Sequence, residues 1–157
     1  DVAGEPMLAH AASAEGEVAA EVIAGEDASL DDRAIPAAVF TDPEIATVGL
    51  TETDAREAEM APVVGAFPLR ASGRALTRRE TDGFVRIVGD ADTGVVLGGE
   101  VVAPEASELI AEIGLAVETG ATLEDVAGTV HAHPTLSESV MGAAKNALGR
   151  AIHTLNR

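Results

Sequence analysis

The sequence predicts an α+β domain: a mostly antiparallel sheet with helices packed on one face, preceded by a single helix. Three observations lead there. Short apolar segments with alternating character cluster between residues 35 and 102, and helical spacing of apolar residues takes over from residue 105. A polar, turn-rich stretch at 25–33 (GEDASLDDR) separates this block from an amphipathic segment ahead of it. Strands in one run followed by helices in another are the pattern of an α+β layer structure.

The leading helix is predicted over 7–24, where Leu8, Ala11, Ala12, Val18, Val22 and Ile23 fall at roughly helical spacing. Pro6 suits its start and Gly25 its end. Ile35 to Phe40 and Ala46 to Leu50 read as strands either side of the turn Thr41-Asp42-Pro43-Glu44. Thr51 with Asp54 spells a capping box, with Asp in place of Glu, and opens a short helix to about Met60. Val63 to Leu69 is a third strand, and Gly83 to Val88 a fourth. Asp90-Ala91-Asp92-Thr93-Gly94 forms a hairpin turn, and Val95 to Val102 is the return strand, with Gly98-Gly99 as its expected bulge. Beyond it, Leu109, Ile110, Ile113 and Val117 share one face of a helix over 105–118 that Gly120 closes. Thr122 with Asp125 starts a shorter helix, residues 130–134 form a break, and a final helix runs from Thr135 to about Leu148. Two units follow: residues 1–32, and a domain over 33–157 that owns a core.

Composition narrows the function classes. Of 157 residues, 46% are apolar, enough for one core, but only 2% are aromatic, so that core is built from Ala, Val, Leu and Ile. There is no Cys, which excludes a disulfide, a thiolate zinc site and a cysteine nucleophile from this chain and fits a cytoplasmic protein. The start resembles no signal peptide, and no apolar run approaches the roughly 20 residues that span a bilayer. The net charge of −17 repels nucleic acid and anionic membranes. Lys145 is the only lysine among 10 basic residues. At roughly 1 M salt the Debye length falls to about 3 Å, which screens carboxylate repulsion, so the acidic balance points to a halophilic, salt-adapted protein.

The segment His131-Ala132-His133-Pro134-Thr135-Leu136-Ser137-Glu138 is the richest in chemistry. Pro134 keeps His133 out of helical geometry, on a turn just ahead of a helix, and the His133-Pro134 bond is a candidate for the cis form. Glu138 lies within reach of His133, and an acid that orients an imidazole is what a general base needs. Thr135 and Glu138 equally spell a capping box in which Glu138 only reaches a backbone N–H. Spacing alone leaves both readings open. Two histidines without Cys or a third nearby His speak against a metal.

HAHPTLSE resembles the signature of the dihydrolipoamide dehydrogenases, within the wider flavin disulfide reductases. Asp1-Val2-Ala3-Gly4-Glu5-Pro6-Met7-Leu8-Ala9-His10 is similar to the family segment that closes the FAD domain. Thr41-Asp42-Pro43-Glu44 with Val48-Gly49, Gly73-Arg74-Ala75-Leu76 and Ala106-Ser107-Glu108-Leu109-Ile110 also match, so the resemblance runs along essentially the whole chain. It implies that residues 1–32 are the tail of an FAD-binding domain and 33–157 the interface (dimerisation) domain. It implies His133 as the base that deprotonates dihydrolipoamide, Glu138 as the acid that holds its imidazole, and His131 in a supporting role. It further implies Asp1 on the ribityl chain of FAD, and Met7, Leu8, Ala9 and His10 as a helix start against the flavin. The cofactors implied are FAD and, as hydride acceptor, NAD. The partners implied are a second copy in a homodimer and the lipoyl-bearing protein of a 2-oxoacid dehydrogenase or glycine cleavage complex.

The chain departs from the family in lacking a G-x-G-x-x-G fingerprint and a redox cysteine pair. The expectation is a piece of a longer flavoprotein, inactive alone. The alternatives are a purely structural dimerisation module and the same domain of a sister FAD-dependent disulfide reductase. The charge balance makes a direct prediction: the melting temperature of the chain rises between low and molar salt, and a thermal melt series that stays flat or falls refutes salt adaptation.

Overall fold

The computed structural model describes residues 1–30 and 34–156. The domain boundary expected between residues 32 and 33 lies outside the described residues. Helix α1 spans Ala9–Ala24, two residues shorter at its start than the spacing predicts. Leu8 is extended (φ −126°, ψ 134°) and acts as N-cap, so Pro6 lies outside the helix rather than in its first turn. At the other end Gly25 takes φ 92°, and the amides of Gly25 and Glu26 return to the Val22 and Glu21 carbonyls. That closure needs a left-handed residue, which glycine adopts without a Cβ penalty. Only Ala11 of α1 is fully buried, while Val22 and Ile23 face solvent.

The remaining elements are β1 (Ala37–Val39), β2 (Glu44–Gly49), α2 (Glu52–Glu57), β3 (Pro62–Pro68), a 3-10 turn (Leu69–Ala71), α3 (Gly73–Arg78), β4 (Phe84–Asp90), β5 (Val96–Ala103), α4 (Ala106–Thr119), α5 (Leu123–Gly128) and α6 (Glu138–Ala147). The five strands form one sheet in the order β1-β2-β5-β4-β3, with every neighbouring pair antiparallel. The α+β class expected from sequence is the one observed. Both Asp-containing capping boxes form, Thr51 with Asp54 and Thr122 with Asp125. Helix α3 has no counterpart in the sequence reading; Ser72 caps it by accepting from the Ala75 amide. Helix α6 starts at Glu138, three residues after the expected Thr135.

One row of paired residues shows where the helices lie. Val48, Gly99, Ile87 and Gly65 face one another across four strands. Gly114 of α4 lies over Val48, Ile113 of α4 over Gly99, and α6 over Gly65. The two helices therefore share a face and enclose a core of Val85, Ile87, Val101, Ile110, Ile113, Val140 and their neighbours. The glycines in this row are close-approach positions. The bulge expected at Gly98-Gly99 falls one residue earlier: Val88 pairs with Gly98 and Gly89 with Val96, leaving Leu97 unpaired. Gly98 is needed instead because a Cβ there would meet the Leu50 and Val48 backbone.

The opposite face carries Val39, Ile45, Val102, Phe84 and Pro68 in a paired row, and beside it the cross-strand ion pair of Arg86 with Glu100 at 3.1 Å. The last strand, β3, begins and ends in proline, as a strand with one unpaired side permits. Its Ala66 amide donates to Asn146 Oδ1 of α6 at 3.0 Å, and Asn146 Nδ2 donates to the Leu155 carbonyl at 2.9 Å. Two family-like motifs also meet. The Glu44 carboxylate accepts from the Ser107 amide (3.0 Å) and hydroxyl (2.8 Å), capping α4, whose own N-cap Glu105 supplies no side-chain bond. These bonds hold the Glu44 carboxyl below its ordinary value.

The seat of α6 is testable. A Cβ on Gly65 would run into the Ala143 carbonyl oxygen and the Ala147 amide nitrogen, backbone atoms that cannot rotate away. Gly65→Ala is expected to cost about 1–3 kcal/mol through overpacking, read as a lower denaturation midpoint; an unchanged midpoint means that α6 shifts freely.

Candidate functional site

The turn between α5 and α6 presents the pair that the sequence singled out. His133 precedes Pro134, the bond between them is cis, and its ring is 76% exposed. His133 Nδ1 lies 2.9 Å from Glu138 Oε1. The other carboxylate oxygen, Oε2, accepts from the Thr135 amide at 2.8 Å. Glu138 thus serves both readings left open by spacing, one with each oxygen. The capping box is only half made: the Thr135 hydroxyl donates to the Ala132 carbonyl at 2.7 Å rather than accepting from the helix. A carboxylate accepts, so Nδ1 carries a proton toward Glu138, and Nε2 faces outward without a partner among the described residues.

Burial is the largest influence on the Glu138 carboxyl and pushes it up. The Thr135 amide bond, the His133 bond and the fields of His133 and His131 act the other way, and the net result lies below the ordinary value. Glu138 therefore stays ionised at neutral pH, where it can hold an imidazole and stabilise its cation.

His133 and Glu138 border a cleft of about 330 Å³ walled by Phe67, Leu76, Met141 and Ile152. Gly73, at the start of α3, lies close to the ring; a Cβ there would stand 3.8 Å from His133 Cε1. The Gly73-Arg74-Ala75-Leu76 motif is thereby placed beside the histidine. His131 is the second imidazole of the turn and is 7% exposed. Its partner is Glu112 of α4, 19 residues earlier in the chain, which sequence reading missed because mid-helix glutamates carry no local signal. Among the described residues, no group of three or more His, Asp or Glu side chains is placed to hold a metal ion. No helix of the described residues is long and apolar enough to cross a membrane.

The amino-terminal candidates form a separate group. Asp1 and Met7 are exposed, Leu8 is the half-buried N-cap of α1, and Ala9 opens the helix. His10 Nε2 lies 2.6 Å from the Pro36 carbonyl, a side-chain link between α1 and the segment leading into β1. No hydrogen bond among the described residues joins this group to the His133 turn.

A family model described as pyridine nucleotide-disulphide oxidoreductase, dimerisation domain, matches residues 35–144. The chain belongs to this family. The matched residues contain the whole sheet, helix α4, the first part of α6 and the His133–Glu138 pair. The whole chain matches the dihydrolipoyl dehydrogenase of Halobacterium salinarum at 68% identity, and 97% of it matches that of Haloferax volcanii, also at 68%. It covers 33% and 32% of those two proteins, so the chain spans about a third of the length of the curated relatives it matches. The crystal structure of LpdA from Mycobacterium tuberculosis is similar over 90% of this chain and 31% of its own, with a TM-score of 0.84 and 40% identity. A flavoprotein disulfide reductase from Escherichia coli shares the fold of the dimerisation domain at TM-score 0.85, over 92% of this chain and 34% of its own, at 24% identity.

The lowered Glu138 carboxyl fixes a pH dependence. A depressed folded-state value gives stability that is present above the ordinary 4.5 and is lost as pH falls through the lowered value. The stability gap between the wild type and Glu138→Gln is therefore expected to be widest near neutral pH and to close on acidification; chemical denaturation from pH 7 downward measures it, and a gap that widens in acid refutes the assignment.

Proposed function

We propose that this dimerisation domain is part of a dihydrolipoyl dehydrogenase, in which His133 is the general base for the dithiol substrate and Glu138 orients it. The observation that carries the reading is the 2.9 Å bond from His133 Nδ1 to an ionised Glu138, which leaves Nε2 on an exposed ring open to substrate. The 68% identity to dihydrolipoyl dehydrogenases supports the choice of substrate over a sister reductase.

In this reading a substrate S–H gives its proton to Nε2. The ring becomes a cation held between Glu138 and the departing sulfur. The thiolate left behind is the species that attacks a disulfide, breaking its S–S bond and releasing a second thiolate. This chain has no Cys, so that disulfide comes from elsewhere in the parent flavoprotein. In the homodimer proposed, it comes from the opposite subunit, which makes the C2 interface part of the active site. FAD, when bound, would supply the acceptor for the electron pair, with NAD as the final acceptor in this proposal.

Residues 1–32 belong, in this proposal, to the FAD domain. The start of α1 suits a flavin edge: Leu8 caps it without a side-chain bond and no acidic residue occupies its first turn. Unsatisfied amides at a helix start favour electron-rich groups. Asp1 would bond the ribityl chain, and Met7, Leu8, Ala9 and His10 would lie along the flavin. The parent works in the cytoplasm on the lipoyl-bearing protein of a 2-oxoacid dehydrogenase or glycine cleavage complex. The halobacterial relatives support salt adaptation of the same surface that carries the net charge of −17.

In the parent flavoprotein, His133→Gln is expected to lower kcat for dihydrolipoamide oxidation by roughly 10²–10⁴-fold with the flavin spectrum retained. Near-normal turnover would leave the domain a structural dimerisation module.

A further inference from the structure

His131 is placed more firmly than the histidine it neighbours. Its Nδ1 lies 3.0 Å from the Thr129 carbonyl, and its Nε2 lies 2.8 and 3.1 Å from the two Glu112 carboxylate oxygens. The Glu112 carboxylate accepts, so Nε2 carries a proton toward it, and the Thr129 carbonyl faces Nδ1. A flipped ring would put carbons opposite both acceptors. The orientation is therefore determined from two sides, and one side belongs to α4, a helix anchored on the sheet.

His133 is the opposite case. Its ring is 76% exposed and makes a single hydrogen bond among the described residues, to Glu138. One bond leaves an exposed ring free to swing, so its position depends on the backbone beneath it. That backbone is tied at three points: His131 to α4, the Thr135 hydroxyl to the Ala132 carbonyl at 2.7 Å, and the Thr135 amide to Glu138 at 2.8 Å. His133 lies between the first tie and the last. Packing alone does not explain a buried imidazole bonded at both nitrogens, since an apolar side chain would fill the same space without polar groups to satisfy.

We infer that His131, held by Glu112, is a positioning residue that fixes the Thr129–Thr135 turn and so aims His133. The effect on catalysis rests on the proposed reading of His133 as the base. The effect on geometry does not.

The test separates the two. In the full chain, NMR should show a slowly exchanging ring proton on His131 Nε2 and a cross-peak between His133 Hε1 and the Gly73 α protons. Glu112→Leu removes the acceptor from a partly exposed helix position and should abolish both signals; Glu112→Gln keeps an acceptor oxygen and should preserve the cross-peak. In the parent flavoprotein, Glu112→Leu should lower kcat roughly 10- to 100-fold, the scale of a misplacement of about 1 Å, with KM within about twofold. Glu112→Gln should recover most of that loss. An exchange-broadened His131 Nε2 proton in the wild type, an intact cross-peak in Glu112→Leu, or a cross-peak lost equally in Glu112→Gln overturns the inference. The wild-type signals decide the matter even where Glu112→Leu does not fold. A lost cross-peak with unchanged kcat upholds the positioning and overturns His133 as the base.

Discussion

Helix α6 can lie against β3 only because two facing positions have no side chain. A Cβ on Gly65 would enter the α6 backbone, and one on Gly142 would enter the Phe67 ring. The approach matters beyond packing. The helix begins at Glu138, so the depth at which it lies on the sheet sets where that carboxylate stands. The His133 ring, the Thr135 amide and the cleft beside them are all placed relative to that one point. The core of small aliphatic residues serves the same end, since it lets layers come close without large rings to accommodate.

The two oxygens of Glu138 do different things in the turn ahead of the helix. One satisfies a backbone donor that would otherwise lack a partner where the chain leaves the turn. The other holds an imidazole nitrogen and leaves its opposite nitrogen outward. A structural cap and a catalytic orienter are usually weighed as rivals. Here a single carboxylate meets the Thr135 amide with one oxygen and the His133 ring with the other.

The sheet and its covering helices were legible because period-two and helical patterns are strong over β4, β5 and α4, and because Thr51–Asp54 and Thr122–Asp125 announce their caps locally. That Glu138 could reach His133 was legible because the two lie five positions apart, but spacing left the capping reading equally open and the pairing came from resemblance. What escaped were contacts between distant segments. Glu112 reaches His131 across 19 residues, and Gly73 reaches His133 across the sheet's end, neither marked by any local rule. Helix α3 escaped because six residues give too little periodicity to recognise. The start of α6 was misplaced by three residues because the Thr135 hydroxyl turns back to Ala132 instead of capping. The assignment of 1–32 to the tail of an FAD domain, with flavin contacts there, is a proposal that rests on resemblance alone.

The bond between Ala66 and Asn146 has a consequence for solubility. A sheet that does not close leaves a row of open amides at its rim, and such a rim accepts strands from other molecules. At β1 the exposure is limited by length, three residues. At β3 the rim is guarded by two prolines, by the Asn146 amide, and by the Leu155 segment that the same asparagine holds in place. The helix that positions a carboxylate at its first residue thus closes off, near its last, the surface along which copies of this protein would otherwise stack into aggregates.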